Sequence, residues 1–110
     1  MFCEIAEGRA PAEVVYRDDR VVAFHDLHPA APQHVLIIPR KHIPHLLDVS
    51  EEDQELLGHL FGRIPVIARL VGLDEPGFRL VNNCKEKAGM SVWHLHFHLL
   101  GGRRLSWPPG

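Results

Sequence analysis

Three histidines alternate with apolar residues over positions 94–99, and this alternation constrains the fold more than any other feature of the chain. Successive side chains of a β-strand point to opposite faces, so the pattern predicts a strand over 92–100 with three imidazoles on one face. The residues predicted to face the core are Trp93, Leu95, Phe97 and Leu99. Because imidazole titrates near neutral pH, three neighbouring rings also indicate a site for acid–base or nucleophilic chemistry.

The remaining segments predict an α+β fold built on an antiparallel sheet of five strands. Four further strands are expected over 13–17, 21–26, 34–38 and 78–82, the first two joined by the polar turn 18–20. We expect a short helical turn over 2–8 and a long helix between Ser50 and Gly72. The predicted buried stripe of the long helix consists of Leu57, Leu60, Phe61, Ile64, Ile67 or Ala68, and Val71.

Pro65 lies inside this predicted long helix and follows Gly62 by three residues. Proline lacks the backbone N–H and its ring crowds the preceding turn. The sequence therefore predicts a kink or a split in the helix around 61–65.

Length and charge predict one domain, residues 1–110, that binds no nucleic acid polymer and no membrane. The net charge is −2 and the sequence has no block of Lys or Arg, which disfavours electrostatic binding to a polyanion. The longest apolar stretch, 64–73, is interrupted by Arg69 and is too short to span a bilayer. Cys3 and Cys84 form no CxxC pair, and no signal peptide is visible, so a cytoplasmic protein without disulfides is expected.

The histidine segment is compatible with three kinds of structure. The imidazoles are hydrogen-bonded structural residues, or they hold a metal ion with help from His34 or His42, or they act on a phosphate. No acidic residue follows over 99–105, which disfavours a metal site. The turn formed by Gly89, Met90 and Ser91 supplies N–H groups and a hydroxyl immediately before the strand, which favours anion binding.

Three blocks of the sequence resemble the histidine triad (HIT) superfamily, and in particular its Hint branch. These blocks are DDRVVAFHDL at 18–27, APQHVLIIPRKHI at 31–43, and SVWHLHFHLLGGR at 91–103. The ending Trp-Pro-Pro-Gly at 107–110 is similar as well. The resemblance implies one long and one short helix, a sheet that continues across a homodimer, and a site for a purine nucleotide without a cofactor or a metal.

The resemblance also implies a function and residue roles. It implies a purine nucleoside phosphoramidase that cleaves P–N bonds of adenosine 5′-phosphoramidates through a nucleotidylated His96. The implied catalytic residues are His96, His94, His98, His34 and Ser91. The implied substrate-binding residues are Phe24, Asp26, Leu27, Leu36, Asn82, Gly89, Met90 and Trp107.

Two departures from the family pattern keep an alternative open. Met90 stands where the family has glutamine, and the loop before it is one residue longer, so that Asn83 replaces Asn82 in one alignment. The alternative is a nucleotide-binding regulatory module with weak or no turnover. Cys84 is expected to be an incidental thiol.

Overall fold

The computed structural model describes residues 2–110 and contains two α-helices and five strands within them. In chain order these are α1 (Phe2–Ala6), β1 (Val14–Arg17), β2 (Val21–His25), β3 (Gln33–Pro39), α2 (Gln54–Leu70), β4 (Arg79–Val81) and β5 (Phe97–Gly101). Short 3-10 turns cover Leu46–Asp48, Glu51–Asp53 and Glu86–Ala88. None of the described helices is long and apolar enough to cross a membrane.

The strands form one antiparallel sheet in the order β1-β2-β3-β5-β4, which confirms the predicted α+β fold. β5 inserts between β3 and β4 and places His98 opposite Leu36 on one side and Val81 on the other. The last histidine of the triad therefore lies in the middle of the sheet.

The two faces of the sheet bury different sets of side chains. On one face Val21, Ala23 and Ile37 pack against Leu60 and Ile67 of α2. On the other face apolar residues of β2 and β3 pack against α1; the cluster contains Phe2, Ile5, Ala6, Val22, Phe24, Leu36 and Ile38. Alternation along each strand separates these sets, because adjacent side chains point in opposite directions. The face that carries α1 also carries the candidate site.

Helix α2 is continuous from Gln54 to Leu70, so the predicted split at Pro65 is wrong. Pro65 is exposed, and an exposed helical carbonyl that loses its N–H partner can bind water instead. Ser50 caps the 3-10 turn Glu51–Asp53 that precedes α2, so α2 itself begins later than predicted, at Gln54; the backbone N–H of Ser50 donates to the Asp53 carboxylate at 3.1 Å. Leu60, Ile64, Ile67 and Ala68 are buried as predicted, whereas Phe61 is 46% exposed.

Strand β5 is shorter than predicted, because it begins at Phe97 and not at 92. The β3–β5 ladder begins at the Ile37–Phe97 pair, and Pro39 at the end of β3 has no N–H to donate. The chain before Phe97 bonds elsewhere: the Leu95 N–H donates to the carbonyl of Ile43 at 2.6 Å. His94 and His96 therefore precede the strand. Trp93 is 48% exposed, so its predicted place in the core is wrong.

The turn between β1 and β2 is fastened to α2 through the carboxylate of Asp18. One carboxylate oxygen accepts the backbone N–H groups of Arg20 and Val21 at 2.7 and 2.8 Å. The other oxygen accepts the Tyr16 hydroxyl at 2.6 Å and the His59 imidazole at 2.7 Å. Burial alone would raise the pKa of Asp18, but these hydrogen bonds outweigh it and hold the pKa well below its ordinary value.

Candidate active site

A cavity of about 520 Å³ opens on the α1 face of the sheet, within the range of ligand pockets in proteins. One wall is apolar and comes from α1, β2, β3 and the segment before β5; it consists of Phe2, Ile5, Phe24, Leu36 and Val92. The opposite side carries the polar groups Asp26, Ser91, His96 and His98. The cavity thus joins an apolar slot to a cluster of imidazoles.

His96 is 5% exposed, and one of its ring nitrogens is committed to the backbone. Its Nδ1 lies 2.7 Å from the carbonyl oxygen of His94, which accepts a hydrogen bond and therefore places the ring proton on Nδ1. The neutral ring then keeps a lone pair on Nε2. Asn82 fixes the same residue from the other side, because its amide donates to the His96 carbonyl at 2.9 Å.

His34 and His98 form a chain of hydrogen bonds that fixes the protons on both rings. The Ala30 N–H donates to Nδ1 of His34 at 3.0 Å, so the proton of the neutral His34 ring is on Nε2. That Nε2–H donates to Nδ1 of His98 at 2.8 Å. The remaining proton of His98 is consequently on Nε2. Burial lowers the pKa of His98 to about 4, with further lowering by His96 and His34, so the ring is neutral at neutral pH.

His94 is 2% exposed, and its two ring nitrogens contact residues that do not line the cavity. Its Nε2–H donates to the carbonyl of Pro39 at 2.8 Å, and its Nδ1 lies 3.3 Å from the sulfur of Cys3. Burial is the main reason that the pKa of His94 is lowered. This ring braces the segment, while its backbone carbonyl orients His96.

Asp26 lies at the end of β2 beside the imidazoles. Its Oδ1 accepts the backbone N–H of His28 at 2.8 Å, and its Oδ2 lies 3.5 Å from Nε2 of His34. Burial lowers the pKa of His34, and the negative charge of Asp26 partly opposes this effect. Asp26 also lines the cavity.

The loop predicted to bind phosphate is only partly at the cavity. Ser91 lines it, whereas Gly89 and Met90 are absent from its lining. Met90 is 8% exposed, and its sulfur accepts the N–H of Lys85 at 3.3 Å, which closes the loop internally. Asn83 also serves this loop, donating to the carbonyl of Ala88 at 2.6 Å.

Two other predicted substrate residues are largely exposed. Leu27 is 84% exposed at the rim of the cavity. Trp107 is 79% exposed and lies away from the cavity, with the guanidinium of Arg79 5.8 Å from its ring centre. Within one chain the tail therefore does not reach the cavity; the resemblance implies that it reaches the site of a partner subunit, which stays a prediction.

Comparison with known proteins agrees with the resemblance. A model of the HIT domain matches residues 7–105. An uncharacterized HIT-like protein of Synechococcus elongatus is 48% identical over 110 residues, covering 100% of this chain and 96% of that protein. The chain belongs to the HIT domain family.

Solved structures show the same relationship for the fold. The crystal structure of a HIT family hydrolase from Legionella pneumophila has a TM-score of 0.96 and 49% identity, with 100% of this chain and 98% of that chain covered. A histidine triad protein from Clostridium difficile has a TM-score of 0.91 and 45% identity, covering 96% and 91%. The fold is therefore that of HIT family hydrolases.

Several residues of this HIT site were not identified from the sequence. Phe2 and Ile5 of α1 form part of the apolar wall, and both lie outside the segment that matches the family model. Their spacing of three residues on a short helix was the available signal. His25 and His28 at the rim were also missed, although they flank the predicted Asp26.

Two groups of side chains in this HIT domain bring metal-binding atom types together. Cys3, His42 and His94 form one group, and Asp26, His34 and His98 form the other, with the candidate atoms of each group within 4.8 Å of one another. In the second group the His34–His98 hydrogen bond already uses one nitrogen of each ring. The absence of a metal stays a prediction.

Proposed function

We propose that this chain is a purine nucleoside phosphoramidase that hydrolyses P–N bonds of adenosine 5′-phosphoramidates through a nucleotidylated His96. The observation that carries the proposal is the hydrogen bond from Nδ1–H of His96 to the His94 carbonyl. This bond leaves Nε2 with a lone pair in a ring that lines the cavity. Nucleophilic catalysis by imidazole requires such a held ring with one unprotonated nitrogen.

The reaction proceeds in two displacement steps at the α-phosphorus. Nε2 of His96 attacks phosphorus, the P–N bond breaks with its electron pair moving to nitrogen, and the amine leaves after taking a proton from water. Water then attacks the phosphorus of the His96 adduct and gives up a proton that neutralises the hydroxide left by the first step, which releases AMP and returns the imidazole. Neither step requires a cofactor, since attack and charge stabilisation come from side chains.

His98 and Ser91 stabilise the charge on the phosphoryl oxygens in this proposal. The proton on Nε2 of His98, fixed through His34, is available for donation to a phosphoryl oxygen. Ser91 adds a hydroxyl at the same cavity. Donors that are held before the reaction cost no reorganisation when charge develops. His94 and His34 act as positioning residues.

The rest of the cavity is assigned to the nucleoside. The apolar wall of Phe24 and Leu36, with Leu27 at the rim, accommodates a purine base. Asp26 accepts the ribose hydroxyls, because one short carboxylate can accept from two adjacent donors. Asn82 acts through the backbone of His96. The N–H groups of Gly89 and Met90 donate to the carbonyls of Glu86 at 3.0 Å and Lys85 at 3.1 Å, so they would reach a phosphate only after the loop rearranges.

A homodimer completes the proposal. The sheet ends at β4, and a second copy added along this edge would continue it, with exposed Phe78 and Trp107 close to the joint. The tail would then approach the pocket of the partner subunit, where Trp107 would contact the leaving group.

Steady-state kinetics with adenosine 5′-phosphoramidate test the proposed function. The wild-type chain is expected to release AMP and amine with turnover, and His96→Asn is expected to bind AMP without turnover. Cys84→Ser is the matched control, because this side chain does not line the cavity. Turnover by His96→Asn at the wild-type rate would contradict the mechanism.

The burial of the Met90 side chain within its loop favours a second candidate, a nucleotide-binding module with little turnover. A thioether cannot replace the amide donor of the family pattern at this position. AMP binding by calorimetry without measurable amine release from the wild-type chain would establish this candidate. Met90→Gln would then raise turnover.

A further inference from the structure

Cys3 lies between two imidazoles behind the apolar wall of the cavity. Its sulfur is 3.1 Å from Nδ1 of His42 and 3.3 Å from Nδ1 of His94. Cys3 is partly exposed and His42 is exposed, so this cluster lies at the surface of the protein. Nothing in the proposed hydrolysis uses the thiol.

The hydrogen bonds around His94 determine what the thiol can do. Because Nε2–H of His94 donates to the Pro39 carbonyl, its Nδ1 carries a lone pair and accepts the S–H proton of Cys3. The sulfur then accepts from Nδ1–H of His42. A thiol with an adjacent base and an adjacent donor has the arrangement of an activated cysteine nucleophile.

Cys84 supplies an internal comparison. It is also a partly exposed free cysteine, but among the hydrogen bonds of residues 2–110 none involves its sulfur. The two thiols of the chain therefore differ in their imidazole neighbours more than in their exposure.

We propose that Cys3 is a modification site that takes low-molecular-weight disulfides and thereby controls the nucleotide pocket. The sulfur of Cys3 attacks one sulfur of the disulfide while its proton passes to Nδ1 of His94. The S–S bond breaks, and the leaving thiolate takes the proton to depart as a thiol. Cys3 is oxidised to a mixed disulfide and the incoming disulfide is reduced by the same exchange.

The coupling to the pocket runs through Phe2, the neighbour of Cys3 on α1. The Phe2 ring packs edge-on against His96 with centroids 5.1 Å apart and against Phe24 at 5.6 Å. On its inner side the Cys3 sulfur lies 3.3 Å from the buried His94 ring, so a group added to the sulfur is expected to displace α1. Phe2 then leaves the wall, and His94 loses a hydrogen bond beside the carbonyl that holds His96.

Reactivity of the thiol is measured with dithiodipyridine in the presence of a chelator, following pyridinethione release and locating the label by peptide mass. The Cys84→Ser protein, which retains Cys3, is expected to react at least tenfold faster than Cys3→Ser, which retains Cys84. His42→Leu is expected to slow the Cys3 reaction. Equal rates for the two single-cysteine proteins would overturn the proposal.

Control of the pocket is measured with cystamine, which leaves a small aminothiol on Cys3. The expected effect on AMP binding rests on the proposed function. The AMP affinity of each protein is compared with that of its own untreated sample. Labelled Cys84→Ser is expected to lose at least tenfold in AMP affinity and to recover with dithiothreitol, whereas treated Cys3→Ser stays unchanged. Full labelling of Cys3 with unaltered AMP affinity would overturn the coupling. If the untreated chain binds no AMP, the proposed function fails. The coupling is then tested by the imidazole NMR signals of His94 and His96 before and after labelling of Cys3. Signals that do not shift on labelling would overturn the coupling.

Discussion

At the scale of single residues, the site is defined by where the protons lie on four imidazoles. Backbone carbonyls fix the N–H groups of His94 and His96, and the N–H of Ala30 fixes the orientation of His34 and through it His98. The result is an acceptor nitrogen on His96 beside a donor nitrogen on His98, with the two ring centres 5.0 Å apart. Attack on phosphorus and stabilisation of its oxygens require this pair of opposite characters.

Replacing His34 tests this assignment of protons. His34→Leu removes the donor to Nδ1 of His98 and frees that ring to adopt the wrong tautomer, so kcat is expected to fall about 100-fold. His34→Gln keeps an N–H donor on a side chain of similar reach and is expected to recover much of the loss. Steady-state kinetics should show the effect in kcat more than in KM.

The same comparison can contradict the account. If His34→Leu and His34→Gln lose activity equally while both remain folded by circular dichroism, the role of His34 is steric. The hydrogen-bond chain from Ala30 to His98 would then be irrelevant to turnover.

The sequence predicted the polar part of the site better than its surroundings. His96, His98, Asp26 and Ser91 line one cavity, as the family resemblance implied, whereas His94 does not line it. Phe2 was missed because a short apolar helix has no pattern that distinguishes a pocket wall from core. Trp93 was misplaced because alternation was extended beyond the residues that pair in the ladder.

At the scale of elements, local patterns located the strands and helices, but they misplaced the start of β5 and the ends of the helices. β1 to β4 each lie within about two residues of the prediction, since polar turns and prolines mark their limits. β5 differs at its start, where tertiary bonds to Pro39 and Ile43 replace ladder pairing. Pro65 did not break α2, because packing of its apolar stripe outweighs one lost hydrogen bond.

The Asp18 turn gives a prediction about stability. Asp18→Asn weakens charge-assisted bonds to Tyr16 and His59 and is expected to lower the free energy of unfolding by about 2 kcal/mol near neutral pH. The folded pKa of Asp18 is lowered, so its stabilisation is full above the unfolded value of about 3.9 and is lost as pH falls through the folded value. Urea unfolding measures this difference.

Asp19→Asn is the control for this turn, because Asp19 is exposed and adjacent. It is expected to change the free energy of unfolding by less than about 0.5 kcal/mol. A difference between wild type and Asp18→Asn that stays constant down to about pH 2 would contradict the role of the carboxylate charge.

At the scale of the whole molecule, one edge of the sheet is open to another chain. β4 is only three residues long and has a single partner strand, β5. The exposed apolar residue Phe78 immediately precedes β4, and two further exposed apolar residues, Phe61 and Leu70, lie on α2. Unpaired strand edges with apolar surroundings favour association. The strand order was not derivable from local patterns, because it depends on pairing between distant segments.

Sedimentation at micromolar concentration tests the predicted homodimer. The wild-type chain is expected to sediment as a dimer, and Phe78→Asp is expected to shift it toward monomer by placing a charge beside the joint. Leu47→Asp is the matched control, because Leu47 is 71% exposed on the turn Leu46–Asp48, which precedes α2, and the substitution should leave the dimer intact. A wild-type chain that sediments as a monomer would contradict the prediction.

In the proposed reaction, Nε2 of His96 forms a bond to phosphorus during turnover. Rapid mixing with adenosine 5′-phosphoramidate, quenching in alkali and peptide mass spectrometry would detect the adduct, since phosphorus–imidazole bonds survive alkali better than acid. One AMP group is expected on the peptide that contains His96, and none in His96→Asn. Turnover with no adduct at any mixing time, or an adduct on another residue, would contradict this proposal.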